Sequence, residues 1–382
     1  MRTLLADDFA RFARALPADW VGHVYDRYRI DLSTHYLGVS IPHPIGKASG
    51  QLSLKAEQLE ADADAGLAFT VLKTVIAEDA AGRQGMAAWA THETRMAVER
   101  RAAADGRTGW TVTWKGRGWD RSLEDYLALV RVGRAMTQEG RLLVVPSVKY
   151  HLPPLGEPFR VEEYRHTTAA LYEAWGEGPL LLEKDFSPTL AGDHLADERA
   201  QVLRWLREVP GLVRAGAPNG VRVALKLMNA RFDDAFQIEM LDAAAEGGAD
   251  AVTVFNRLWD AERGVAYGGW DLSDRNLRVL GATRTTAPRP RWLHGMSGTG
   301  NVCSGRLVIA YARVGCSSVQ LHTGFQLPLR EYPAEGGSRA QRALHALVFH
   351  PAHGLLAALL DEEAEGRLAR LGGELRFRDL LV

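Results

Sequence analysis

Two lysines stand inside apolar runs of this chain: Lys73 in Val71-Leu72-Lys73-Thr74 and Lys226 in Ala224-Leu225-Lys226-Leu227. An ammonium group is costly to bury unless it meets an anion or an acceptor. One such lysine reads as half of a structural ion pair. Two on separate strands point to a shared anionic or electron-accepting ligand. Val254-Phe255-Asn256-Arg257 brings an amide and a guanidinium to a third strand end. Glu183-Lys184-Asp185-Phe186-Ser187-Pro188 runs into Thr189-Leu190-Ala191-Gly192. Side chains alternate along a strand, so Glu183, Lys184 and Asp185 cannot all face one ligand. Two further apolar strands end in glycine: Arg291 to Gly295-Met296, and Ser317 to Thr323-Gly324. Bare backbone N–H groups at such turns suit a phosphate dianion.

The elements that must position these residues alternate regularly. Candidate strands are Pro44 to Gly50, Ala68 to Val75, Leu142 to Val148, Pro179 to Phe186, Val221 to Leu227, Ala249 to Asn256, Arg291 to Met296 and Ser317 to Gly324. Charged amphipathic stretches of helical length lie between them, such as Glu198 to Val209 and Asp234 to Glu246. Eight units predict an α/β fold closed as a (β/α)8 TIM barrel, whose last two strand ends commonly cradle phosphate. No Gly-x-Gly-x-x-Gly follows an early strand, so the dinucleotide fingerprint is missing. Long connections follow strand two (Ala77 to Asp120, with Trp110, Trp114 and Trp119) and strand six (Arg257 to Asp274). Both leave the face where barrel active sites sit. Asp8 to Tyr28 reads as one amphipathic helix, with Phe9, Phe12, Leu16 and Trp20 on a stripe. The expected organisation is a helical extension over 1–36 and a barrel over 37–382.

Composition narrows the class. The 382 residues are 46% hydrophobic and 24% charged, with a formal net charge of -1. That balance gives no support to a nucleic-acid surface. No apolar run reaches the length of an integral membrane span, and the start of the chain has no signal-peptide core. Cys303 and Cys316, the only cysteines, cannot build a disulfide framework, which suits a reducing cytoplasm. No metal is assigned.

Several segments, spread over roughly residues 37 to 330, together resemble the dihydroorotate dehydrogenase family of FMN-dependent barrels. Leu37 to Gly46 resembles the family's opening hairpin and first strand, and Ala48-Ser49-Gly50 the turn that lies against the flavin. Leu72-Lys73-Thr74-Val75 resembles the Lys-Thr motif, and Leu225-Lys226-Leu227 the flavin-binding lysine strand. Val254-Phe255-Asn256 resembles the strand that delivers a substrate-site asparagine. Gly268-Gly269, Gly295-Met296 and Val319-Gln320-Leu321-His322-Thr323-Gly324-Phe325 resemble the FMN-phosphate segments. The resemblance implies a divergent family member with FMN across the barrel mouth. It implies cofactor contacts from Ala48, Ser49, Gly50, Lys73, Thr74, Lys226, Gly268, Gly269, Gly295, Met296, Thr323 and Gly324.

The departures bear on the substrate. Aligning the loop after strand four on Ser187-Pro188 puts Ser187 at the catalytic-base position, with Lys184 and Thr189 where the family has orotate-binding asparagines. Another alignment puts Asp185 at the first asparagine and Pro188 at the base position, which removes the base. Gly109 to Gly116, including Trp114, replaces an asparagine-rich segment. A substrate amide left unpaired in a buried site costs about 1–3 kcal/mol. The expectation is therefore an FMN-dependent oxidoreductase that moves a hydride between flavin and a cyclic conjugated small molecule. Ser187 and Lys73 would be catalytic, and Lys184, Thr189, Asn256 and Trp114 would contact substrate. A divergent dihydroorotate dehydrogenase and a non-catalytic barrel are the alternatives. The electron acceptor is unassigned, and a homodimer stays open.

Overall fold

The structure is a computed structural model that describes residues 1–87, 96–102, 108–114, 118–186, 198–217, 220–260, 265–268, 272–286 and 295–381. Its centre is a ring of parallel strands: β1 (Ile45–Lys47), β2 (Phe69–Val71, resuming as Val75–Ile76), β3 (Leu143–Val145, resuming as Ser147–Lys149), β4 (Leu180–Asp185), β5 (Val221–Met228), β6 (Ala251–Asn256), β7 (Met296–Gly298) and β8 (Cys316–Leu321). Each strand pairs with the next, and β8 pairs back onto β1, with Val319 opposite Ile45 and Leu321 opposite Lys47. Both halves of β2 pair with the matching halves of β3, so the ring closes. Pro146 has no N–H to give, and it marks the break in β3. β2 breaks where the Lys73 N–H leaves the sheet for the Ser53 carbonyl, at 3.0 Å.

These strands read as near-continuous apolar runs because both faces are covered. Helices α3 (Ala56–Asp64), α4 (Leu123–Gln138), α5 (Val161–Trp175), α6 (Arg199–Gly216), α7 (Asp234–Glu246), α8 (Leu272–Thr286) and α9 (Gly305–Arg313) follow β1 to β7 in order. Helix α4 shows why. Ser122 caps it by accepting the Asp125 N–H at 3.0 Å, and Leu123, Tyr126, Leu127, Val130 and Met136 form one buried stripe.

The start of the chain corrects the single-helix expectation. Two helices form, α1 (Arg2–Arg11) and α2 (Trp20–Tyr28). Pro17 disfavours helix at Leu16, and Asp19 opens α2 by accepting the Gly22 N–H at 2.8 Å. A hairpin of Thr34–Tyr36 and Val39–Ile41 then closes the N-terminal end of the barrel. Thr34 Oγ1 donates to the Ser317 carbonyl at 2.8 Å, and the Tyr36 ring stacks on Phe69 at 4.0 Å. Phe69 fills the space that Gly46 leaves: a Cβ on Gly46 would stand 2.2 Å from its ring. Truncating such a buried ring costs about 3–5 kcal/mol.

The two long connections join. Met96–Ala102 and Thr108–Trp114 come from the loop after β2, and Leu258–Asp260 and Val265–Gly268 from the loop after β6. They make one four-stranded antiparallel sheet, with Gly268 opposite Val112 and Ala266 opposite Trp114. Asn301, just past β7, donates Nδ2–H to the Trp110 carbonyl at 2.8 Å, which ties this sheet to the C-terminal side of the barrel.

Candidate functional site

Charge is buried on both faces of the barrel sheet. On the helix side, Lys47 of β1 pairs with Asp62 of α3, which also accepts from Thr70 Oγ1 at 2.9 Å. Inside the barrel, Glu183 of β4 is wholly buried. Its Oε2 accepts from Gln320 Nε2 at 2.7 Å, Thr253 Oγ1 at 3.1 Å and the Tyr36 hydroxyl at 3.5 Å. Its Oε1 lies 3.5 Å from the Lys226 ammonium. Lys226 Nζ also donates to Gln320 Oε1, a long bond of 3.4 Å. An ammonium has three N–H groups. Among the described residues this is the one hydrogen bond Lys226 gives, so the buried group keeps donor capacity.

At the C-terminal rim, strand ends converge. Ser49 Oγ lies 2.9 Å from Thr74 Oγ1, and Thr74 Oγ1 lies 3.0 Å from Ser147 Oγ, a row of hydroxyls across β1, β2 and β3. Lys149 ends β3 and sits 3.5 Å from the Asp185 carboxylate at the end of β4. Burial, with Arg257 and Lys226 nearby, holds Lys149 down to about 8 against the pull of Asp185. Burial lowers Arg257 to about 10. His322, at the end of β8, is held at about 3 by burial first and then by Lys73, Arg257, Lys226 and Lys47. It is therefore neutral at pH 7, and its ring packs where a Cβ on Gly50 would stand, 2.1 Å from Cε1. The mouth is rich in cations, with Asp185 at its edge.

The last two strands end in turns that face one another. β7 runs Met296–Gly298 and is followed by Thr299, Gly300 and Asn301. Gly300 has φ +111° and Asn301 φ +65°. A Cβ at Gly300 would stand 2.3 Å from Asn276 Nδ2, which donates to the Thr299 carbonyl at 2.7 Å. A Cβ on Gly324 would lie 4.0 Å from the Val302 carbonyl, so the two turns adjoin. Among the described residues, the N–H groups of Gly300, Asn301, Thr323 and Gly324 meet no acceptor. Adjacent N–H groups of this kind make an anion-binding concavity.

The structure brings most of the expected site residues to this rim. Ala48 continues the ladder through its N–H to the Leu321 carbonyl at 2.8 Å. Ser49, Gly50, Lys73, Thr74, Lys226, Asn256, Thr323 and Gly324 lie at or just below strand ends. Asn256 is half-buried, and its carbonyl accepts from Asn229 Nδ2 at 2.6 Å. Gly268 lies in the antiparallel sheet over the mouth. Two expectations change place. Gly295 and Met296 stand at the start of β7, because that strand begins where the sequence pattern ends it. Gly295, with φ +88°, lies beside His35 and Ser317, at the end of the barrel opposite Thr323-Gly324. Lys184 shares the strand face of Val148 and Leu225, away from Glu183 and Asp185. Its Nζ donates to the Asp185 carbonyl at 2.9 Å and lies 4.3 Å from the Phe186 ring centroid. Ser187, Thr189, Gly269 and the Trp114 side chain lie outside the described residues. Trp119 is core, packed on Tyr126 at 5.2 Å.

Sequence reasoning missed Lys149, Glu183 as an anchor, and the Gly298-Thr299-Gly300 turn. Lys149 carries the signal that singled out Lys73 and Lys226, a lysine closing an apolar strand. The sequence pattern ends the third strand at Val148, one residue short of the Lys149 that closes it in the structure.

A closed parallel barrel with a charged mouth at its C-terminal strand ends defines the class. No family model matches the chain, and no curated protein matches it in sequence. Solved structures do match. A crystal structure of DHODH from Eimeria tenella in complex with ferulenol superposes with a TM-score of 0.61 at 12% identity, over 99% of this chain and 93% of that one. A ligand-free DHODH structure from Eimeria tenella gives 0.57 at 15% identity, over 100% and 98%. The fold is therefore DHODH-like. Among the described residues no helix is long and apolar enough to cross a membrane.

Proposed function

We propose that the chain binds FMN across the C-terminal mouth of the barrel and acts as an oxidoreductase on a carbon–carbon bond of a cyclic conjugated small molecule other than dihydroorotate. The carrying observation is the Lys226 ammonium: buried, below the rim, with donor capacity left. The facing turns at Gly300-Asn301 and Thr323-Gly324 fit a phosphate, and the Ser49–Thr74–Ser147 hydroxyl row fits the polar edge of a flat ring. FMN would supply two-electron transfer at the substrate carbon. Lys226 would donate to the ring edge that gains negative charge on reduction, where a pre-organised donor counts most. Lys73 and Thr74 would flank the same ring. Asn256, with the Lys149–Asp185 pair and Arg257 beside it, would orient the substrate. Ser187, which follows Phe186 in the sequence, is proposed as the proton-transfer group, with Thr189 and Trp114 as further substrate contacts and Gly268-Gly269 over the cofactor. A serine base needs a neighbour to relay its proton. The proposed substrate side has cations that suit an anionic group, but Lys184 and Thr189 stand where the resemblance expects amides for a uracil-like ring, which argues against dihydroorotate.

The test is direct. Purified protein should be yellow and release FMN, not FAD, on denaturation. It should oxidise dihydroorotate weakly or not at all. A colourless protein that cannot be reconstituted with FMN ends the reading. Turnover of dihydroorotate at about 10 per second, ordinary for an enzyme, would make it a genuine dihydroorotate dehydrogenase.

A further inference from the structure

Glu183 is a carboxylate with no exposure, deep in a barrel. A buried charge of this kind needs compensation. Among the described residues the cation within 4 Å is Lys226, at 3.5 Å from Oε1. The other oxygen is clamped from three directions, by Gln320 of β8, Thr253 of β6 and Tyr36 of the hairpin below. Those groups are themselves buried, so the carboxylate cannot turn. Gln320 completes the arrangement: its Nε2 holds Glu183 and its Oε1 accepts from Lys226. The ammonium is thus fixed in height and largely neutralised from below. Whatever it meets above sees a fixed donor more than a net positive charge.

We propose that Glu183 is a positioning residue that sets the reduction potential of the bound flavin by acting through Lys226. The inference rests on the FMN reading above. An uncompensated ammonium would favour the anionic reduced ring over the neutral oxidised one. The carboxylate 3.5 Å behind it offsets that preference and keeps the potential low. The clamp has a second consequence of opposite sign. Each donor on Oε2 draws charge away from the Lys226 side, so losing one strengthens the hold of Glu183 on Lys226.

The experiment measures the midpoint potential of FMN in the reconstituted full chain, at pH 6.5 and fixed ionic strength. This pH lies far below the ordinary lysine range. Five proteins are compared: the parent, Glu183→Gln, Lys226→Met, the double variant of those two, and Thr253→Val. Glu183→Gln should raise the ratio of reduced to oxidised FMN affinity at least tenfold. For a two-electron couple that is about 30 mV upward. The change should vanish in the Lys226→Met background, since Glu183 acts through that lysine. Thr253→Val keeps the charge, removes one clamp and should move the potential downward. It also carries the test if Glu183→Gln does not fold. A parent that binds no FMN sinks the FMN reading and this inference with it. A parent that binds FMN while Glu183→Gln and Thr253→Val leave the potential in place overturns the inference alone. So does a Glu183→Gln shift that persists without Lys226.

Discussion

Lys184 stands between Glu183 and Asp185 in β4, and Lys226 of β5 lies opposite Asp185, yet their surroundings differ in kind. Lys226 faces Glu183 across the barrel interior, and its charge has a partner at 3.5 Å. Removing Lys226 alone would leave a buried carboxylate uncompensated, which typically costs about 3–5 kcal/mol. The fold therefore leans on this lysine as well as the site does. Lys184 is wholly buried on the other face of its strand, against a carbonyl and an aromatic ring. Burial, followed by Lys149, pulls it down to about 7, with Asp185 and Glu163 opposing. The sign follows from proton counting. From about 7 upward the folded lysine is neutral while the unfolded one still holds its proton up to about 10.4. The unfolded state binds more protons there, so stability rises with pH. Lys184→Met should stabilise the protein at pH 7 by about 1–4 kcal/mol, as apolar replacements of buried ionic groups do. The gain should shrink by pH 9. Urea melts at the two pH values check this, and equal or lost stability at pH 7 refutes it.

At the scale of elements, the glycine turns separate the two ends of the barrel. Gly300 and Gly295 both hold positive φ, at +111° and +88°. Both would resist a Cβ: Gly300 against Asn276 Nδ2 at 2.3 Å, Gly295 against His35 Nε2 at 2.8 Å. Alanine at either should destabilise by about 1–3 kcal/mol. Only Gly300 lies beside Thr323-Gly324, so only Gly300→Ala should also weaken FMN binding, at least tenfold by titration. Equal effects of the two variants on FMN affinity would show the cradle to be misplaced. This pair also marks what the sequence could carry. All eight barrel strands are legible because each is a buried parallel strand, a short run of Val, Leu, Ile and Ala bounded by turns. The start of β7 is not: Trp292-Leu293 extends the apolar run ahead of Met296, and nothing local says where pairing begins. The joined sheet over the mouth is illegible for another reason. Gly268, from the loop after β6, pairs with Val112, from the loop after β2, and such non-local register leaves no local pattern. At the site, Lys73 and Lys226 announce themselves as charges in apolar strands. Glu183 does not, since its partners come from β5, β6, β8 and the hairpin, which only closure brings together.

For the molecule as a whole, the question is whether 1–36 and 37–382 behave as separate units. Leu5, Phe12, Trp20, Val24 and Tyr28 belong to the same buried cluster as Phe69, Leu182, Leu225 and Val319 of the barrel. Ile30 and Asp31 pair with Leu375 and Arg376, so the first and last segments of the chain close one edge together. Tyr36 reaches further, stacking on Phe69 and meeting Glu183 and Gln320 in the interior. Each fully buried aromatic or aliphatic side chain contributes about 1.5–3 kcal/mol, so the N-terminal helices share a large fraction of a marginal total. The expected outcome is one cooperative unfolding transition for the full chain. Far-ultraviolet circular dichroism, which follows all helices, and near-ultraviolet signal should give coincident urea curves. Tyr36→Ala should move both curves to lower urea together and leave them superimposed, because the hairpin is part of the barrel's interior rather than an attachment to it. An early transition that takes helix signal alone, with the barrel signal intact, would show that the extension folds and unfolds on its own.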